Sequence, residues 1–198
     1  MNKLKYFVQF LIISTLLLIF KILGLKISLT LSSQVLKYFG PFFRSNNISS
    51  LNLSKAFPKM DSNQKHKILK NMWFNYGRIF AEYMFIKDFR CAKNFHKNIS
   101  FENYDEIEKI KNKSEPVIFV SGHFNNFELM AMHIENSNIE LAAIYRPLNN
   151  KFLNYIMEKI RKKYICKNQV KKGVSGTKQL LSFFKKNTSI ALMIDQRV

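Results

Sequence analysis

For its length this chain is poor in acids: 13 Asp and Glu stand against 32 Lys and Arg, a formal net charge of +19. Residues 1–60 hold eight bases and no acid, and Lys159 to Ile194 hold ten bases and again no acid. Codon drift toward Lys, Asn, Ile and Phe accounts for part of that magnitude. It accounts less well for two long windows without any acid. Such surfaces repel cationic partners and attract nucleic acid, anionic lipid headgroups or acidic proteins. No nucleic-acid-binding motif accompanies the charge, so no nucleic-acid partner is expected. Cysteine is scarce too: Cys91 and Cys166 have neither redox nor metal spacing and build no disulfide framework. The four histidines are scattered, so neither a metal nor another cofactor is expected. Low-complexity linkers and internal repeats are missing as well.

What the chain does have is apolar mass: 47% hydrophobic residues, 19 of them Phe, in 198 residues. That suits one domain with a sizeable core and an N-terminal appendage. Tyr6 to Phe20 is an uncharged, mostly Leu, Ile and Phe run bracketed by Lys5 and Lys21. At 1.5 Å per residue it covers roughly 22 Å, short of the roughly 30 Å hydrocarbon core. Extended to Lys26 it spans if Lys21 snorkels; otherwise it lies embedded in one leaflet. No small-residue cleavage site follows, so residues 1–30 read as an uncleaved anchor. Lys21, Lys26, Lys37 and Arg44 outweigh Lys3 and Lys5, which leaves the main domain cytoplasmic.

Residues 31–115 read as a helical connecting region. Asp61 or Ser62 is a capping residue, followed by Ile68, Leu69, Met72, Trp73, Tyr76, Ile79, Phe80 and Tyr83 at helical spacing. An acidic helix is expected at Asn103–Lys111. From Pro116 the elements alternate: strands at Val117–Val120, Leu141–Tyr145 and Ser189–Ile194, helices at Asn125–Ile134, Asn150–Lys163 and Thr177–Lys186. Alternation with apolar strands predicts an α/β fold, a mostly parallel sheet with flanking helices over residues 116–198. The chain stops on a strand's carboxyl edge, so that core is expected to be incomplete at its C-terminus.

Ser121-Gly122-His123-Phe124-Asn125-Asn126-Phe127-Glu128 directly follows the first of these strands. On an ideal helix i and i+5 lie about 140° apart. For both side chains to serve one site, His123 must sit in the turn and Glu128 about one turn into the helix. A neutral imidazole is a general base near pH 7, and a carboxylate on its other nitrogen fixes the tautomer. The attacking hydroxyl then comes from the substrate, since Ser121 lacks the Gly-x-Ser-x-Gly elbow. The alternative is structural, with His123 capping the helix and Glu128 a solvated acid favouring the helix dipole.

Four blocks in order behind an anchor add specificity. They are Asn52-Leu53 with Phe57-Pro58, His123 with Glu128, Tyr145-Arg146-Pro147 with Asn149-Asn150, and Asp195-Gln196. Together they resemble the lipid A biosynthesis acyltransferases of the lysophospholipid acyltransferase superfamily, and the likeness runs to the final residue. Glutamate rather than aspartate at the second motif position leans toward the lipid A branch. The resemblance implies transfer of a fatty acyl chain from acyl carrier protein to a lipid A precursor at the inner membrane, with the catalytic domain on the cytoplasmic side. It implies His123 as base with Glu128, and Arg161 as donor to the oxyanion, with a phosphate contact or plain surface charge as the alternative for Arg161. Arg146, after a strand and before Pro147, is placed either to bind an acceptor phosphate bidentately or to pin a loop. Asn125, Asn126, Asp195 and Gln196 shape the substrate pocket. The acidic carrier protein and anionic lipid, lipid A precursor included, then become the partners of the basic surface. The family's following Phe-Phe-Gly-type block is not in this sequence. Other membrane acceptors, such as a lysophospholipid or glycolipid, and an inactive lipid-binding homologue are the rival readings.

Overall fold

The long apolar run and the alternating C-terminal half both become regular structure. The computed structural model describes residues 2–91, 99–113 and 115–195. Helices α1 (Asn2–Phe43), α2 (Asn47–Ala56) and α3 (Ser62–Glu82) lead through a 3-10 turn at Tyr83–Phe85 to α4 (Ile86–Cys91) and α5 (Tyr104–Lys113). Then follow β1 (Ile118–Ser121), α6 (Glu128–Asn136), β2 (Leu141–Tyr145), α7 (Lys151–Tyr164), β3 (Asn168–Lys171), α8 (Val174–Lys185) and β4 (Ser189–Met193). By contacts the chain forms two units, one of Met1–Ser14 with Ile86–Val198, the other Thr15–Phe85.

The second unit is helical. Asp61 caps α3 as expected, its Oδ1 accepting from the Gln64 N–H at 2.8 Å. Trp73 donates its indole N–H to Asn46 Oδ1 at 2.8 Å, giving the aromatic stripe of α3 a polar anchor as well as packing. Helix α1 bends at Gly24, whose φ of 75° and ψ of 168° only glycine adopts without strain. Ser28 Oγ donates toward the carbonyls of Phe20 and Gly24 at 2.8 and 2.7 Å, covering acceptors that the bend leaves open.

The first unit is α/β. Its four strands are all parallel in the order β1-β4-β2-β3. Strand β3 escaped the sequence reading because Asn168-Gln169-Val170-Lys171 is short and polar. It sits at the sheet's edge, paired to β2 alone, where water tolerates polar side chains. Alternate residues face opposite ways. Ala142, Val170 and Ile190 pack with Leu180 of α8 as a buried core. Ala143, Tyr145, Ala191 and Met193 turn to the other face and line a cavity, with α6 against β2 and α7 against β3. Arg90 pins the helices of this face: it pairs with Glu135 at 2.7 Å and donates to the carbonyl of Tyr164 at 3.1 Å.

Cys166 ends fully buried, its Sγ 3.0 Å from the Leu141 carbonyl, whereas Cys91 is exposed. Burial pushes the Cys166 thiol up to about 12, and the thiolate is the reactive form. A maleimide at neutral pH is therefore expected to label Cys91 and leave Cys166 unmodified until the protein is denatured. Mass spectrometry of the labelled chain reads this directly, and equal labelling of both would contradict the burial.

Candidate active site

Strand register decides what meets at the carboxyl edge of the sheet. Ser121 of β1 stands opposite Met193 of β4, so two residues further on His123 and Asp195 leave adjacent strands together. His123 Nδ1 lies 2.8 Å from Asp195 Oδ1, and the His123 backbone N–H donates to Oδ2 at 2.9 Å. Gly122 makes room for this. A Cβ there would stand 3.3 Å from Asp195 Cγ and 2.9 Å from the Phe124 ring. The backbone N–H first, and the imidazole second, hold the Asp195 carboxyl below its ordinary range. Its folded pKa thus lies below the unfolded value of about 3.9. The stability it contributes is complete above that value and lost as pH falls through the lowered one. Asp195 is a carboxylate throughout the neutral range. With Nδ1 facing that carboxylate, Nε2 is the nitrogen available to a substrate.

Glu128 takes a different partner from the one its spacing suggested. Asn125 adopts a left-handed φ of 44°, and α6 begins only at Glu128, three residues later than expected. From that first helical position Glu128 Oε1 accepts from Arg161 Nε of α7 at 2.8 Å, and from Arg161 Nη2 as well. The side chains are 7% and 12% exposed, so this is a buried, two-donor ion pair bridging α6 and α7. Asp195 therefore occupies the position on Nδ1 that the sequence reading gave to Glu128.

The histidine, Glu128 and Arg161 line one cavity of about 260 Å³, together with Phe127, Tyr145, Ile165 and Met193 among others. Phe127 meets the His123 ring edge-on at 4.7 Å. Tyr145 donates its hydroxyl to Glu158 Oε1 at 2.5 Å, and the Arg161 guanidinium lies 5.6 Å over its ring. Burial first, and Glu158 second, raise the Tyr145 phenol far above its ordinary value. Tyr145 forms part of the wall of the site.

Register also builds a cationic corner. Tyr145 of β2 stands opposite Lys171 of β3, so Arg146 and Lys172 emerge side by side, and the Lys172 N–H donates to the Tyr145 carbonyl at 2.9 Å. Both line the cavity, and two adjacent cations suit a phosphate or carboxylate. The sequence reading placed Arg146 at the site but not Lys172 or Met193. The signal for Lys172 lay in the spacing of parallel strands, where the residue just past each carboxyl end faces the same edge. Asn125 and Asn126 are not among the lining residues. Asn126 is buried, and its carbonyl accepts from the Leu129 N–H at 3.1 Å inside the turn. Gln196 lies outside the described residues.

Comparison with known proteins converges on one description. The family described as bacterial lipid A biosynthesis acyltransferase matches residues 1–198. The Lipid A biosynthesis acyltransferase 2 of Shigella flexneri is 21% identical over 118 residues, which is 59% of this chain and 37% of that relative. The matched stretch thus spans little more than a third of that curated relative's length.

Proposed function

Because the chain belongs to the bacterial lipid A biosynthesis acyltransferase family, we propose that it moves a fatty acyl group from an acyl carrier protein thioester to a hydroxyl of a lipid A precursor. We place this reaction at the cytoplasmic face of the inner membrane. His123 Nε2 takes the proton of the acceptor hydroxyl. The hydroxyl oxygen attacks the thioester carbonyl, a C–O bond forms, and the carbonyl π pair moves onto oxygen. Collapse of that oxyanion breaks the C–S bond, and the departing sulfur recovers the proton from the imidazolium. An ester and a free thiol result.

Asp195 holds the imidazole in the productive tautomer and balances its positive charge. Arg161 supplies positive charge to the oxyanion, held in position by Glu128. Glu128 is on this reading a positioning residue. Arg146 and Lys172 bind an anionic group of the acceptor, and Phe127, Ile165 and Met193 contact its apolar parts or the acyl chain. Asn125 and Asn126 shape the turn that carries His123. The acidic carrier protein is drawn to the basic stretch from Lys159 to Lys186. The single observation that carries the reading is the 2.8 Å contact of His123 Nδ1 with Asp195 at the mouth of a cavity walled by apolar side chains and cations.

The test uses membranes containing the full chain, supplied with radiolabelled acyl carrier protein thioester and lipid A precursor. Label is expected in the lipid A fraction, and the lipid A of a deletion strain is expected to lack one acyl chain by mass spectrometry. Unchanged lipid A with an altered phospholipid or glycolipid would move the acceptor elsewhere. Binding of lipid without any transfer would remove the activity.

A further inference from the structure

We propose that Glu158 of α7 is a positioning residue for the cations of the cavity, holding Arg161 through Tyr145 and the loop of Arg146 through Asn154. This rests on the acyl-transfer reading above and deepens it, since one side chain then sets both cations without touching substrate.

Glu158 stands alone in its surroundings. From Leu141 to Ile194 the chain has twelve bases and this single acid. A solvated carboxylate in such a stretch pairs with a nearby lysine and contributes little. The contacts of Glu158 are of another kind. Its Oε1 accepts the Tyr145 hydroxyl at 2.5 Å and the Asn154 amide at 2.8 Å. Lys171 Nζ lies 3.5 Å from the same oxygen, but its side chain is 65% exposed against 21% for Glu158. The two hydrogen bonds, rather than the lysine, therefore hold the carboxylate. The Tyr145 hydroxyl, ahead of every other contact, keeps Glu158 below the ordinary carboxylate range. At neutral pH both donors thus meet an ionised acceptor, which makes the stronger kind of hydrogen bond.

Each bond leads to a cation. Tyr145 ends β2 and lines the cavity with Arg161, whose guanidinium lies 5.6 Å over the phenol ring. Tethering the hydroxyl fixes the ring, so one face stays turned to the guanidinium. Glu128 grips the same arginine from α6 at 2.8 Å, and Arg161 is thereby set from two sides. Asn154 carries the second path. Its Oδ1 accepts the Leu148 N–H at 2.8 Å while its amide donates to Glu158. Leu148 lies two residues past Arg146, in the connection from β2 to α7. Connections of this kind move more than the elements they join, and this bond ties the one that carries Arg146. Asn154, Glu158 and Arg161 follow at i, i+4 and i+7, a single row of α7. One rigid helix therefore carries the whole arrangement. Glu158 is not among the lining residues, so it acts through Tyr145 and Asn154.

Steady-state kinetics separate the two paths in membranes containing the full chain, with acyl carrier protein thioester and lipid A precursor varied independently. Tyr145→Phe keeps the ring and removes its tether, so kcat is expected to fall by about 3–10-fold, the size of one hydrogen bond. Asn154→Ala is expected to raise KM for the lipid acceptor by about 3–10-fold and to lower kcat less. Glu158→Ala cuts both paths, and kcat/KM should fall by about 10–100-fold, as for hydrogen bonds to a charged group. Adding Tyr145→Phe to Glu158→Ala should cost no further kcat, because the two act along one path. Glu158→Gln keeps an acceptor oxygen at the same reach and should recover a large part of the loss. A merely structural role would lower the amount of folded enzyme, and so kcat in every variant alike, with acceptor KM unmoved. That pattern, with folded protein measured by circular dichroism, overturns the positioning role and leaves the acyl-transfer reading intact. So do wild-type kinetics in both Tyr145→Phe and Asn154→Ala, which decide the matter even if Glu158→Ala fails to fold. Absence of transfer by the unaltered chain overturns both.

Discussion

His123→Ala is expected to lower acyl transfer by about 10²–10⁴-fold, the usual contribution of a positioned general base. KM should change little, because the imidazole acts on a proton rather than on the substrate's bulk. Asp195→Asn is expected to give a smaller loss, confined to kcat. The amide still accepts the His123 backbone N–H, whose bond to Asp195 is 2.9 Å, but it cannot balance an imidazolium. Residues that act as a unit are strongly non-additive. The double variant should therefore be scarcely worse than His123→Ala alone. Steady-state kinetics on purified membranes, with circular dichroism to verify folding, measure all three. Full multiplicative loss in the double variant would mean that the two side chains work independently, and wild-type rates for His123→Ala would end the general-base assignment.

The second large effect concerns stability. Removing one member of a buried ion pair strands the other charge, which costs about 3–5 kcal/mol. Glu128 and Arg161, at 7% and 12% exposure, meet that condition. Arg161→Met should destabilise by about that amount, and Arg161→Lys should not rescue it, since an ammonium cannot reproduce the two-donor fork. Glu128→Gln keeps the volume and one acceptor, so its loss should be smaller. In the double Glu128→Gln, Arg161→Met variant part of the loss should return, because no lone charge remains. Unfolding in detergent gives the four free energies of the cycle. If Arg161→Met instead costs less than about 0.5 kcal/mol, as a surface substitution would, the pair is solvated and its bridging of α6 and α7 is unimportant. In turnover, Glu128→Gln is expected to lower kcat through a displaced Arg161, and Glu128→Asp should restore part of it.

Local chemistry and periodicity were readable in advance. Asp61 was visible as a cap, α7 as a helix, and β1, β2 and β4 as apolar runs between helices. The Ser121–Glu128 block announced a strand end turning into a helix. Strand β3 was not legible, because at a sheet's edge polar side chains meet water and leave no apolar signature. The start of α1 carried a composition signal for a membrane segment. Nothing in its sequence revealed that Asn150, far along the chain, would grip the Tyr6 carbonyl.

The histidine block carries the same division. Residue type and spacing pointed to an imidazole and the Glu128 carboxylate at the carboxyl end of a strand, while Asp195 and Arg161 entered only through the family resemblance. Which carboxylate meets which cation was decided by the tertiary structure alone. Pairing of Ser121 with Met193 sends His123 and Asp195 out together across a sequence separation of 72 residues. The left-handed turn at Asn125 delays α6 and turns Glu128 toward Arg161. Side-chain pairing at a sheet edge depends on strand order and register. Those are set by packing between elements far apart in sequence, and no local pattern encodes them.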